Sequence, residues 1–169
     1  MQRDIPASAR QAAEREGSPD VLLAFLTVTH QNLSEPIRIV SDVFDYVLEG
    51  ETYKGIVFDA KPLTDTDAAP VTELRVQNVD RRIGEALERA EGRAQAALRV
   101  ISSSDFDLTQ DPRVAPGTPE DIYSFQHFDL VDVDVNPIEI TGRLMLRDYS
   151  QEPWPGIAAT EERLPGLFR

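Results

Sequence analysis

The sequence predicts a mainly β (α+β) domain, an antiparallel β-sandwich or barrel with one flanking short helix, on three observations. Residues Phe125 to Asp148 alternate apolar and polar side chains with period two, the signature of half-buried strands. Several shorter runs rich in β-branched residues, such as Val21 to Thr29 and Thr52 to Phe58, are bounded by turn residues, as strands are. Between two such runs, Ile83, Ala86, Leu87 and Ala90 fall at helical spacing, so one short helix is expected there.

The long hairpin is the frame. Val131, Val133 and Val135 alternate with Asp132 and Asp134, and Ile138, Ile140, Leu144 and Leu146 alternate with Glu139, Thr141, Arg143 and Arg147. Asn136-Pro137 stands between the two runs; Asn tolerates turn dihedrals and Pro lacks a ladder donor. Phe128 and Leu130 fall on the parity of Asp132. A bulge near Asp129 is expected to absorb that slip.

At the start, Asp4 to Gly17 is helix-prone, with Pro6 suited to a first turn and Gly17 to a stop. It has almost no large apolar side chain, so residues 1–20 are expected to form a helical arm. Val21 to Thr29 reads as a well-buried strand, followed by Pro36 to Ser41 and Tyr46 to Leu48. Glu49-Gly50-Glu51 supplies a tight turn, and Thr52 to Phe58 reads as a fourth strand, with Gly55 marking a bulge or a close backbone approach. Asp59 to Pro70 has no periodicity and reads as a loop.

Val71 to Val79 alternates again, Leu74 and Val76 opposing Arg75 and Gln77. Asp80 suits the N-cap of the helix and Gly92 its end, and Ala96 to Ser102 returns as a strand. Ser103 to Ser124 is rich in Ser, Asp, Pro and Gly; loops of that length are functional or mobile. The core domain therefore spans 21–148, and 149–169 forms an extended arm, because Pro153, Pro155 and Pro165 forbid a regular helix. Trp154, Ile157, Leu164, Leu167 and Phe168 lie in that arm; burying each large apolar side chain contributes about 1.5–3 kcal/mol. They are the subunit-interface candidates.

The chain has 169 residues, enough for one domain with its own core, and no cysteine. It has no apolar run of membrane-spanning length and no apolar leader near Met1. The net charge of −13, with scattered basic residues, argues against specific nucleic-acid binding.

Catalytic and metal chemistry finds little footing. Asp132 and Asp134 share a strand face, where a solvated surface is the simpler account than acid–base work. The run Asp105 to Asp111 is like a calcium loop but lacks its Gly, and Pro116 stands where a bidentate Glu is needed. His30 and His127 lie in different segments without ligand spacing. No triad elbow, phosphate loop or dinucleotide fingerprint occurs. The expectation is a protein that is not an enzyme and uses no cofactor and no metal.

The order of the segments carries a resemblance. Leu26-Thr-Val-Thr-His30, Leu33-Ser-Glu-Pro-Ile-Arg-Ile-Val-Ser-Asp42, Gly50-Glu-Thr-Tyr-Lys-Gly-Ile-Val-Phe58, Glu73-Leu-Arg-Val-Gln-Asn-Val-Asp80, Glu152-Pro-Trp-Pro-Gly156 and Leu164-Pro-Gly-Leu-Phe168 together resemble a family of small tailed-phage and prophage minor tail proteins without an assigned molecular role. The resemblance runs from about Val21 to Phe168. It implies a virion component of the tail tip or baseplate, assembled in the host cytoplasm, which forms a trimeric or hexameric ring of its own copies. The ring would encircle the DNA channel and join distal tail, hub and tape measure proteins. Some of the candidates Glu49, Glu51, Asp59, Asp65, Asp67, Asp132 and Asp134 are expected on this reading to face the lumen, where they would repel passing phosphates. Two alternatives stand beside it. One is a monomeric β-sandwich binding module for carbohydrate or an adaptor, with Trp154, Tyr149 and Tyr123 as an aromatic platform. The other is an acid glycan hydrolase using Asp132 with Glu139 or Asp129.

Overall fold

The structure, a computed structural model, describes residues 6–15, 17–31, 33–60, 71–77, 93–146 and 163. In chain order these form helix α1 (Ala7–Glu14) and strands β1 (Leu22–Thr29), β2 (Ile37–Val40), β3 (Tyr46–Leu48), β4 (Glu51–Gly55) and β5 (Phe58–Ala60). Strands β6 (Val71–Gln77), β7 (Ala94–Ser102), β8 (Arg113–Val114), β9 (Asp121–Val135) and β10 (Glu139–Met145) follow. The expected helix at 80–92, all of the arm at 149–169 except Arg163, and Asp65 and Asp67 lie outside the described residues.

The fold is mostly β, as expected, but the strands join in a single sheet that curls into an open half-barrel. Its order is β5-β6-β10-β9-β7-β1-β2-β4-β3-β8. Curling is what lets it bury a core. Leu26, Val28 and Ile39 from β1 and β2 share one cluster with Phe58, Leu74 and Val76 from β5 and β6. In a flat sheet β2 and β6, five places apart at about 4.8 Å per strand, would stand roughly 24 Å from each other.

Strand β1 explains why its sequence is a continuous apolar run. Leu26 and Val28 enter the cluster on the inner face, while Leu23 and Phe25 enter a second cluster on the outer face. There the β3–β4 hairpin and the segment after β7 cover the sheet with Tyr46, Leu48, Tyr53 and Phe106. Phe25 meets Tyr46, Tyr53 and Phe106 at ring separations of 5.8, 5.1 and 5.5 Å.

Several expectations are corrected. The run Thr52 to Phe58 is two strands: β4 pairs with β2 and β3, β5 with β6, and the chain changes partners at Ile56-Val57. The sheet is not antiparallel throughout, because β2–β4 and β3–β8 are parallel. The segment Ser103 to Ser124 is built into the fold. It opens with a 3-10 turn over Ser103–Asp105, buries Phe106 to 5% exposure, adds β8 to the sheet and enters β9 at Asp121. Low periodicity hid this, because one aromatic and a two-residue strand hold the segment.

The long hairpin is present, with Asn136 Oδ1 accepting from the N–H groups of Ile138 and Glu139 to fix its turn. The expected bulge at Asp129 is not where the ladder shifts. Against β10 the extra residue falls at Asp132-Val133, where Asp132 has φ 51°. Against β7 it falls at Gln126-His127, which puts both Phe125 and Phe128 on the inner face, and again at Ile122. The predicted common dry face of Val131, Val133 and Val135 is therefore broken: Val135 packs on the core, whereas Val133 stays 37% exposed. Gly142 lies across from the Asp132 bulge, with Leu130 Cδ1 2.9 Å from where its Cβ would be.

The start of the chain agrees with its expectation as far as the helix goes. Arg10 N–H donates to Pro6 O, α1 ends at Glu14, and Gly17 takes φ 99°. The Glu49-Gly50 turn likewise forms with both residues at positive φ, 54° and 85°, the geometry that two-residue hairpins require.

Candidate functional site

Among the described residues, two surfaces present chemistry. The first is the outer face of β5, β6, β10 and β9, set by alternation: Leu74, Val76, Ile140 and Leu144 go inward, so Glu73, Arg75, Thr141 and Arg143 go outward. Register then lines up Asp59, Arg75, Thr141 and Asp134 as one row across the four strands. In the next row Glu73 stands opposite Arg143, and Arg143 Nη2 donates to the Asp132 carboxylate. A groove of about 380 Å³ runs between them, lined by Glu73, Arg75, Asp132, Thr141 and Arg143. Four carboxylates against two guanidinium groups leave the face acidic. Exposed ion pairs such as Arg75–Glu73, at 3.7 Å, stabilise by about 1 kcal/mol at most, so their effect is to pattern charge.

The second surface is the loop from Ser41 to Asp45. Ser41 anchors its base to β1, donating N–H to Ala24 O and accepting Ala24 N–H on its hydroxyl. Asp42 accepts from Val43 N–H at 2.6 Å, from the Tyr46 hydroxyl at 2.6 Å and from Arg113 Nη1 at 3.0 Å. Arg113 also donates to the Tyr46 oxygen and lies 4.0 Å over the Phe44 ring. Burial first, and then the bond to Asp42, raise the Tyr46 phenol above its ordinary value, against the opposing pull of Arg113. On the far side Asp45 accepts from Lys54 Nζ and Gly55 N–H. Between these two fastened carboxylates Val43 is 71% exposed and Phe44 43% exposed.

The predicted residues distribute as follows. Asp59, Asp132 and Asp134 share the outer face. Glu49 and Glu51 do not; they sit at the β3–β4 turn, paired with Arg99 at 3.0 Å and Arg38 at 3.2 Å. Arg99 is also held by Asp121, and these bonds raise its pKa despite the opposing effect of burial. Asp132 lies three residues along the strands from both Asp129 and Glu139, roughly 10 Å of backbone, and Asp129 pairs instead with Arg93. Tyr123 is half-buried in an inner-face stack with Phe125 and Phe128, while Tyr149 and Trp154 lie outside the described residues. Asp107 spends its oxygens on Thr109 and Gln110. Among the described residues no group of three or more potential ligands converges on a metal position.

Sequence reasoning passed over two features. The Val43-Phe44 pair stands between two aspartates in a turn, and an apolar pair there is itself a signal. Gly142 interrupts the apolar series Ile140, Leu144, and a missing inward side chain points to a bulge in the facing strand.

Fold and surfaces together define an acid-rich β half-barrel with exposed, pre-shaped faces. The chain belongs to the family described as domain of unknown function (DUF1833), whose profile matches residues 8–158. No curated protein matches the chain.

Proposed function

We propose that the protein is a structural subunit of a tailed-phage tail tip or baseplate, where three or six copies ring the DNA channel and join distal tail, hub and tape measure proteins. The observation that carries this reading is a sheet left open as a half-barrel whose outer face holds more acid than base. The resemblance of the ordered segments to small phage tail proteins supports it from the sequence side.

An open sheet has two edges, and edges invite pairing. The β8 edge is short and bridged by Asp107, whose N–H donates to Val114 O. The β5 edge is three residues long. On this reading neighbouring copies complete the half-barrel to a closed barrel or sandwich, and contacts repeated by rotation close the ring. Residues 1–20 act as a helical arm, and 149–169 as an extended arm that seats Trp154, Ile157, Leu164, Leu167 and Phe168 on a neighbour. Asp59, Asp132 and Asp134 face the channel, where carboxylates repel phosphates and keep the passage from becoming a binding site. The subunit works by position and charge, without bond chemistry, and it resides in the virion.

An electron-microscopy map of an intact particle tests this. The expected density is a three-fold or six-fold ring in the tail tip with the β5-β6-β10-β9 face inward. Tails without this chain, or a ring that carries this face on its outside, would rule the reading out.

A further inference from the structure

We infer that the open side of β9, Asp121 to Phe128, is the seat for the Glu152–Gly156 stretch of a neighbouring copy's C-terminal arm, with Trp154 laid on Tyr123 and Phe125. The inference rests on the reading of the chain as an assembling subunit and names the surface that receives the arm.

The seat is a step in the sheet. Strand β9 is 15 residues long, but β10 pairs with it only from Asp129 onward. Among the described residues, Asp121 to Phe128 are paired on the β7 side alone. Alternate backbone groups of β9 therefore point into the step, and such an edge takes an added strand. Beside it the inner-face stack thins out. Phe128 is fully buried, whereas Phe125, 4.3 Å from it, and Tyr123, 6.3 Å further on, stay half-buried. The step is also the neutral part of an acidic chain. Of its 30 acids none falls between Asp121 and Asp129, and those two are held by Arg99 and Arg93. An arm that carries Glu152, Glu161 and Glu162 meets no unpaired carboxylate on these residues, so like-charge repulsion is small.

The sequence of the arm matches the step. Along a strand the backbone groups alternate sides with period two. Laid out as a strand, Pro153 and Pro155, two apart, would turn both missing donors the same way. Glu152, Trp154 and Gly156 would keep their N–H groups on the other side, which is the pattern of a strand that pairs along one side only. Direct continuation of β10 within one copy misplaces this stretch. Leu144 and Leu146 pack on the inner cluster, so continuing their alternation would set Asp148 and Ser150 against Phe125 and Tyr123. Counted from Met145 opposite Asp129, it would also carry Trp154 past Asp121, where β9 begins. The arm of a second copy is free of that register and can set its indole on the two half-buried rings, a contact that aromatic side chains favour.

The test is complementation between two full-length variants, read by sedimentation equilibrium and by the emission of Trp154, the chain's only tryptophan. Wild type is expected to assemble, with the emission moving to shorter wavelength as it does. Trp154→Ala removes the indole from the arm, and Tyr123→Glu puts a carboxylate on the seat. Each is expected to move the midpoint of assembly to about tenfold higher concentration or beyond. Mixed, they are expected to form a heterodimer, because the arm of the Tyr123→Glu copy meets the intact seat of the Trp154→Ala copy. If Tyr123→Glu lowers the melting temperature, Ser124→Glu/Gln126→Glu, on two exposed side chains of the same edge, takes its place. Variants that assemble like wild type, or a mixture that gains nothing over its parts, sink the seat and leave the subunit reading intact. A wild type that stays monomeric at every concentration sinks the contact between copies, whether its tryptophan emits as buried or as exposed, and the particle map then decides the subunit reading independently.

Discussion

Gly55 sits under the carbonyl of Phe44: a Cβ placed on it would stand 2.5 Å from that oxygen and 2.7 Å from its carbon. The wall is backbone, and the backbone is fixed because Asp45 holds Gly55 N–H while Val40 O accepts from Ile56 N–H. Gly55→Ala is therefore expected to cost about 1–3 kcal/mol or more through overpacking. Gly142→Ala is the control. Its nearest obstacle is the flexible end of Leu130, and a cavity of about 20 Å³ adjoins it, lined by Leu26, Leu74, Leu130 and Gly142 among others. That change is expected to stay within about 1 kcal/mol, since alanine also regains the strand-interior cost of glycine. Urea unfolding of both variants measures the contrast, and equal losses would remove the backbone-wall explanation.

Phe106 makes the segment after β7 part of the core. It is 5% exposed, stacks on Phe25 and meets Tyr46 edge-on at 5.0 Å. Phe106→Ala is expected to destabilise the whole domain by about 3–5 kcal/mol, read as a lower urea midpoint with an unchanged slope. Were the segment an independent loop, the same substitution would leave the midpoint where it is.

These two sites show what the sequence made legible and what it did not. Gly55 announced either a bulge or a close approach, because glycine inside a β-rich run has few other reasons to be there, and the structure shows the close approach. The Glu49-Gly50 and Asn136-Pro137 turns were readable because turn chemistry is local. Strand β6 was readable because one face is wet and the other dry. Phe106 was not readable, because a single aromatic among Ser, Asp and Pro has no period. The bulges at Gln126-His127 and Asp132 were displaced from the expected Asp129 because each is set by a partner strand, Ala96 to Leu98 in one case and Gly142 in the other. The change of partners at Ile56-Val57 has the same origin: apolar alternation says that a residue is buried, but not against which strand. Of the candidate site, Asp59, Asp132 and Asp134 were named in advance, but their common row with Arg75 and Thr141 depends on register across four strands.

The Asp45–Lys54 pair gives an acid-side prediction. Burial acts to raise the Asp45 carboxyl, but the hydrogen bonds from Lys54 Nζ and Gly55 N–H outweigh it and hold the group below its ordinary value of 3.8. A lowered folded value means that the stabilisation is complete above the unfolded value and is lost as pH falls through the folded one. Wild-type stability is expected to drop on acidification below about pH 4, and Asp45→Asn to drop less across that window. Thermal melts of both proteins over an acid series read this, and parallel acid limbs would assign the loss to other carboxylates.

Removal of Glu152 to Arg169 separates folding from assembly. Among the described residues, both core clusters are drawn from Leu23 to Leu144, with Leu146 packed on the first. The hairpin, the β1 double face and the Phe25–Tyr46–Phe106 contacts all lie upstream of the cut. The truncated chain is therefore expected to stay soluble and to keep its β-type circular dichroism with a cooperative melt. It also loses Trp154, Ile157, Leu164, Leu167 and Phe168, the apolar side chains proposed to seat on a neighbour, so it is expected to fail to enter tails when it replaces the full chain during particle assembly. Unfolding of the truncated chain would make the segment part of the domain's own core. A folded truncation that still enters tails would move the decisive contact away from the arm and toward the surfaces upstream of it.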